Sequence, residues 1–142
     1  MKGAEYILLF EKTDISISFN YDLNGLLVAF KIDGILTETQ HAYVMGRIPM
    51  LERQIERFTS SFKNATITIK PGDLSFERFW QDYSNKKGKL KMAKNLWAKL
   101  AEADKVKVLL HIPKYRIQCA KDKVDMAYPS TYINQEYYNN PV

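Results

Sequence analysis

Apolar residues alternate with polar ones through residues 5–33 and recur every three or four positions beyond Leu74, so the chain changes period part-way along. Ile15, Ile17 and Phe19 alternate within ISISFNYDLNGLLVAFKIDG, and β-branched or aromatic residues dominate both this stretch and the EYILLFEKTD before it. Both read as strands. Asn24-Gly25, set between two apolar runs, predicts a tight hairpin turn, because both residues tolerate positive φ. Ala65, Ile67 and Ile69 alternate in ATITIK and add a strand. The front half is therefore expected to hold a small antiparallel sheet.

A helix is expected from Thr37, because Thr37-Glu38-Thr39-Gln40 has the form of a capping box. Tyr43, Arg47, Leu51, Ile55 and Phe58 continue at helical spacing, and Pro49 predicts either a kink or a break with proline in the first turn of a second helix. Lys70-Pro71-Gly72-Asp73 is the expected boundary between an α+β half, residues 1–71, and a helical half, residues 72–142. In that second half Phe76, Phe79, Trp80 and Tyr83 lie at i, i+3, i+4 and i+7, one stripe of roughly 100 degrees. After Gly88, Leu90, Ala93, Leu96, Trp97 and Leu100 share a second apolar face. Val106, Leu109, Leu110, Tyr115, Ile117 and Cys119 predict a third helix bent by Pro113. Pro129 and the hydroxyls around it suit a last short helix. The fold class is α+β: a sheet with one long or kinked helix, then an all-α basic module.

Charge sharpens this division. The chain of 142 residues carries a net charge of +5. Residues 1–70 balance eight Lys or Arg against eight acids, whereas residues 71–142 set thirteen against eight, so the whole excess lies in the helical half. Such asymmetry points to an anionic partner. Five lysines, Lys86, Lys87, Lys89, Lys91 and Lys94, follow the aromatic stripe, and no acid stands between Asp82 and Glu102. At 100 degrees per residue, Lys87, Lys91 and Lys94 fall within about 60 degrees of one another, away from the apolar face. The rings read as core and the lysines as a separate face. Lysines at a helix N-terminus oppose the macrodipole, so stability alone would favour acids there, and phosphate contact explains them better.

Catalytic chemistry is thin. His41, His111 and Cys119 lie in separate elements without metal-ligand spacing. No Gly-rich phosphate loop, nucleophile elbow or dinucleotide fingerprint occurs. Asp14, Asp22, Asp33 and Glu38 flank strand ends and read as ordinary turn acids. No catalytic activity, metal or cofactor is expected. The single cysteine fits a reducing compartment. The first residues look like neither a signal peptide nor a membrane span, so the expectation is a protein of the bacterial cytoplasm with no membrane partner.

The order Phe76, Phe79, Trp80, Tyr83, Lys86, Lys89, Ala93, Trp97, Leu100, then Pro129, Tyr132, Ile133, Asn134 and Tyr137 or Tyr138, resembles the C-terminal helical module of phage and prophage replication proteins of primosome type, DnaT-like among them. The resemblance covers residues 74–138. Ser84 stands where the family usually has proline, Tyr128 where a histidine often stands, and Tyr132 in place of a tryptophan. It implies a DNA-associated accessory role, reached through single-stranded DNA and a replication protein partner. The competing expectation is an adaptor or inhibitor that sets the basic face against an acidic protein. Sequence-specific readout is not expected, because the second helix offers lysines and Asn95 alone where base edges would call for Arg, Asn or Gln.

Overall fold

The computed structural model describes residues 3–83, 86 and 88–141. The chain forms two compact units, Met1–Lys70 and Pro71–Val142.

The first unit is a four-stranded antiparallel sheet with helices against one face. Strands β1 (Glu5–Phe10), β2 (Ser16–Tyr21), β3 (Leu27–Asp33) and β4 (Ala65–Ile69) lie in the order β3-β2-β1-β4. Leu8 pairs with Ile17 and with Ile67, and Phe19 pairs with Phe30, so alternate residues share one face. The turn between β2 and β3 departs from the expected form. The Gly25 N–H donates to the Asp22 carbonyl at 3.0 Å, and the Asp22 carboxylate accepts from the N–H groups of Asn24 and Leu26. Gly25 has φ +78, while Asn24 is not among the residues with positive φ. Asp22 thus closes the turn with its own side chain, and glycine alone takes the left-handed conformation.

The capping box at Thr37 forms as expected. The Gln40 N–H donates to Thr37 Oγ1 at 3.1 Å, and the Thr37 N–H donates to Gln40 Oε1 at 2.9 Å. Helix α1, however, covers only Glu38–Met45, and α2 runs Ile55–Ser60 after a 3-10 turn at Glu52–Gln54. Pro49 lies in neither helix, and Arg47 and Leu51 fall between them. The intervening segment is tied instead to the sheet edge: the Leu27 N–H donates to the Met50 carbonyl at 2.9 Å, and Leu51 bridges Leu26. Pro49 suits this role because it offers no N–H to a helix, while its carbonyl accepts from the Tyr21 hydroxyl at 2.7 Å. Leu8, Ile17, Phe19, Val44, Ile55 and Phe58 form the core, with Phe19 and Phe58 edge to face at 5.5 Å.

The second unit is helical throughout: α3 (Phe76–Asp82), α4 (Leu90–Ala98), α5 (Glu102–Asp122) and α6 (Pro129–Asn134), followed by a 3-10 turn at Tyr137–Asn139. Ser75 caps α3 by accepting from the Arg78 N–H at 3.2 Å. Pro113 is carried inside the 21 residues of α5, on its exposed side. Beyond α5 the chain turns through Lys123 at φ 56, where the Val124 N–H donates to the Cys119 carbonyl at 3.0 Å and that of Lys123 to Ala120 at 3.3 Å. These two bonds are the Schellman pattern, built here without its usual glycine. Pro129 opens α6 at its first position, where a missing N–H costs nothing, and the residue before it, Tyr128, makes no side-chain cap bond. Phe79, Tyr83, Trp97, Val108, Ile112 and Tyr132 make the core. Among the described residues no helix is long and apolar enough to cross a membrane.

Candidate nucleic-acid interface

Helix α4 sets a buried stripe beside exposed lysines. Ala93 and Trp97 are buried, whereas Lys91, Lys94, Asn95 and Ala98 are exposed. Trp97 stacks on Phe79 with centroids 4.9 Å apart and planes 19° from parallel, and its Nε1–H donates to the Leu74 carbonyl at 3.0 Å. Trp80 takes a different place from the one its stripe suggests: it is only half-buried and packs on Phe76 at 5.6 Å. Leu90 departs too, for it is 49% exposed and extends no apolar face. Lys105 of α5 places its ammonium 5.9 Å from the centre of the Trp97 ring.

The lysines divide between this helix and the turn before it. Lys91 and Lys94 stand on α4, Lys89 is its N-cap, and Lys86 lies in the preceding connection, all four exposed. Lys87 lies outside the described residues. Helix α4 starts at Leu90, and Gly88 before it has φ +91. Among the described residues, Lys86, Lys89, Lys91 and Lys94 make no ion pair, and the nearby Asp82 carboxylate is held by Arg78 at 2.9 Å. The first turn of α4 contains no acid. The cations there stand against the helix dipole without internal compensation.

The segment ahead of α6 is held by two tyrosines, Tyr83 and Tyr115. Helix α4 packs against α6, and the ring of Tyr128, ahead of α6, lies against Gly88. The Tyr83 hydroxyl donates to the Ala127 carbonyl at 2.6 Å, and the Ala127 N–H donates to the Tyr115 hydroxyl at 2.9 Å. Burial pushes the Tyr83 phenol well above its ordinary range, so it stays protonated and keeps donating. Nothing in the periodicity marks Tyr128, because its neighbour comes from a distant part of the chain.

His111 is buried: the Asn140 carbonyl can only accept, so Nε2 carries the proton and donates to it at 3.1 Å, leaving Nδ1 to accept from the Tyr132 hydroxyl at 2.7 Å. Desolvation holds its pKa below the usual histidine value. Cys119 is buried and free. Among the described residues no group of three or more His, Cys, Asp or Glu side chains is placed to hold a metal ion. The sheet unit carries a pocket of about 410 Å³ whose lining includes Phe10, Ile15, Leu36, Tyr43 and Phe62.

With this geometry in view, one comparison bears on the helical unit. Residues 71–136 match the family model described as the C-terminal domain of the Legionella vir region protein LvrA. No curated protein and no solved structure matches the chain significantly. The matched stretch begins at the division between the two units and spans α3 to α6, so it takes in the lysine turn together with the aromatic core that holds it.

Proposed function

We propose that the protein is a non-catalytic DNA-binding accessory factor of a phage or mobile element, which grips the phosphate backbone through Lys86, Lys87, Lys89, Lys91 and Lys94. The observation that carries this reading lies on α4: Lys91 and Lys94 are exposed and, among the described residues, make no ion pair, while Trp97 and Ala93 are buried in the core. Folding needs the buried pair only. Lysines opposed to a helix dipole cost stability, which a phosphate ligand recovers by meeting both the ammonium groups and free helix N–H groups. The match to the LvrA domain supports a bacterial mobile-element setting. The narrower reading, a part in primosome-type replication alongside a replication protein partner, rests on the aromatic pattern alone.

A second reading has its own support. Leu90 and Met92, 49% and 50% exposed, sit among the lysines and would suit an acidic protein surface with apolar contacts. Titrations with single-stranded and double-stranded DNA at two salt concentrations separate the two. Under the leading reading single-stranded DNA binds with a steep salt dependence. Replacing Lys89, Lys91 and Lys94 with alanine then makes the slope of log affinity against log salt shallower by about 2, from about 0.7 per lost contact. The loss is similar for all base sequences, because phosphate contacts position without reading. An unchanged slope in a folded triple variant favours the protein partner.

A further inference from the structure

We infer that Tyr128 is a base-stacking residue, held beside the lysine turn to receive a nucleobase of single-stranded nucleic acid. This rests on the reading of the lysines as a phosphate-binding surface and adds the half of the ligand that lysines do not contact.

Tyr128 is set apart from the other aromatics of its unit. Phe76, Phe79, Tyr83, Trp97, Tyr132 and Tyr138 are buried and the remaining rings half-buried, whereas Tyr128 is 51% exposed. Its ring is nonetheless not a loose surface group. The residue before it is gripped at both polar atoms by the hydroxyls of the buried Tyr83 and the half-buried Tyr115, its own carbonyl accepts from the Tyr132 N–H at 2.9 Å, and the buried Pro129 follows. The backbone under the ring is therefore fixed before any ligand arrives, so little freedom remains to be lost on binding.

Its position ties it to the lysines. A Cβ added to Gly88 would lie 3.4 Å from Tyr128 Cδ2 and 3.7 Å from its Cβ and Cγ, an ordinary contact distance, so the ring stands beside the glycine. Lys89 follows that glycine directly, and Lys86 precedes it by two positions. Glycine is favoured here by its φ of +91, a conformation that side chains rarely adopt. A flat ring beside cations matches a ligand that carries a flat ring and an anion in every repeating unit. Single-stranded nucleic acid is that ligand, and stacking on an aromatic side chain is tolerant of base identity.

The test measures binding of the full chain to labelled oligothymidylate and to an abasic strand of equal length, by fluorescence anisotropy. The wild-type chain should prefer the strand with bases by about 10-fold, the order expected of one stacked base. Tyr128→Leu should bring the first affinity down to the second while leaving abasic binding and both salt slopes unchanged. Tyr128→Phe should keep the preference. The Lys89, Lys91 and Lys94 triple variant should weaken both strands alike. If the wild-type chain binds both strands equally with a steep salt slope, the lysine reading stands and stacking is overturned. Equal weakening of both strands by Tyr128→Leu also overturns it, since the ring would then act only through the shape of the turn. Failure to bind either strand, or equally tight binding of polyglutamate with no gain from bases, overturns both readings.

Discussion

Replacing Trp97 with alanine removes the ring around which the helical unit is packed. The side chain is 2% exposed, stacks on Phe79 at 4.9 Å and donates from Nε1 to the Leu74 carbonyl. Truncation of a buried tryptophan costs about 3–5 kcal/mol through lost burial and the cavity left behind. Here the stack adds about 0.5–1.5 kcal/mol beyond area, and the stranded carbonyl about 1–3 kcal/mol if no water reaches it. These contributions overlap, so the expected total is about 5 kcal/mol, at the lower edge of the whole stability of a small protein. Trp97→Phe keeps a ring against Phe79 and loses the donor, for about 2 kcal/mol. Trp80→Ala, at a half-buried site, should cost about 2 kcal/mol by the smaller area involved. Urea unfolding followed by far-ultraviolet circular dichroism orders the three variants. A Trp97→Ala midpoint equal to wild type refutes the core assignment, and a Trp97→Phe loss as large as that of alanine refutes the weight given to the stack.

Lys123 holds the left-handed position of a Schellman motif at φ 56, so Lys123→Gly should stabilise by about 0.5–1 kcal/mol; a thermal scan showing a lower midpoint would count against the motif. His111 has a depressed folded pKa through burial, so its contribution is fully present above its unfolded value of 6.5 and is lost as pH falls below it towards the folded pKa. Unfolding midpoints for wild type and His111→Gln should therefore lie furthest apart near neutral pH and converge in acid; a constant gap would contradict the neutral tautomer between Asn140 and Tyr132. The Lys89, Lys91 and Lys94 triple alanine variant should keep its thermal midpoint within the range of surface substitutions, a few tenths of a kcal/mol per site, and a cooperative loss of structure would show that these side chains belong to the fold.

Local chemistry made part of this protein legible in its sequence. The capping box at Thr37, the strand alternation around Ile17 and Ile67 and the proline that opens α6 are settled by neighbours within one turn or one strand, and they form where the residue types dictate. The buried Ala93 and Trp97 of α4 follow from helical spacing over nine residues, which leaves Lys91 and Lys94 exposed beside them. Contacts between distant segments decided the rest. Pro49 is drawn out of any helix because its neighbours bond to the edge of β3, and Asp22 closes a turn that the Asn24-Gly25 pair alone would shape differently. Leu90 stays exposed although it has helical spacing, because periodicity fixes the direction of a side chain and only tertiary packing supplies a neighbour. Tyr128 meets Gly88 for the same reason in reverse. No rule of spacing links two residues on opposite sides of α5 in the sequence, and only the packing of α4 against α6 brings that ring to the lysine turn.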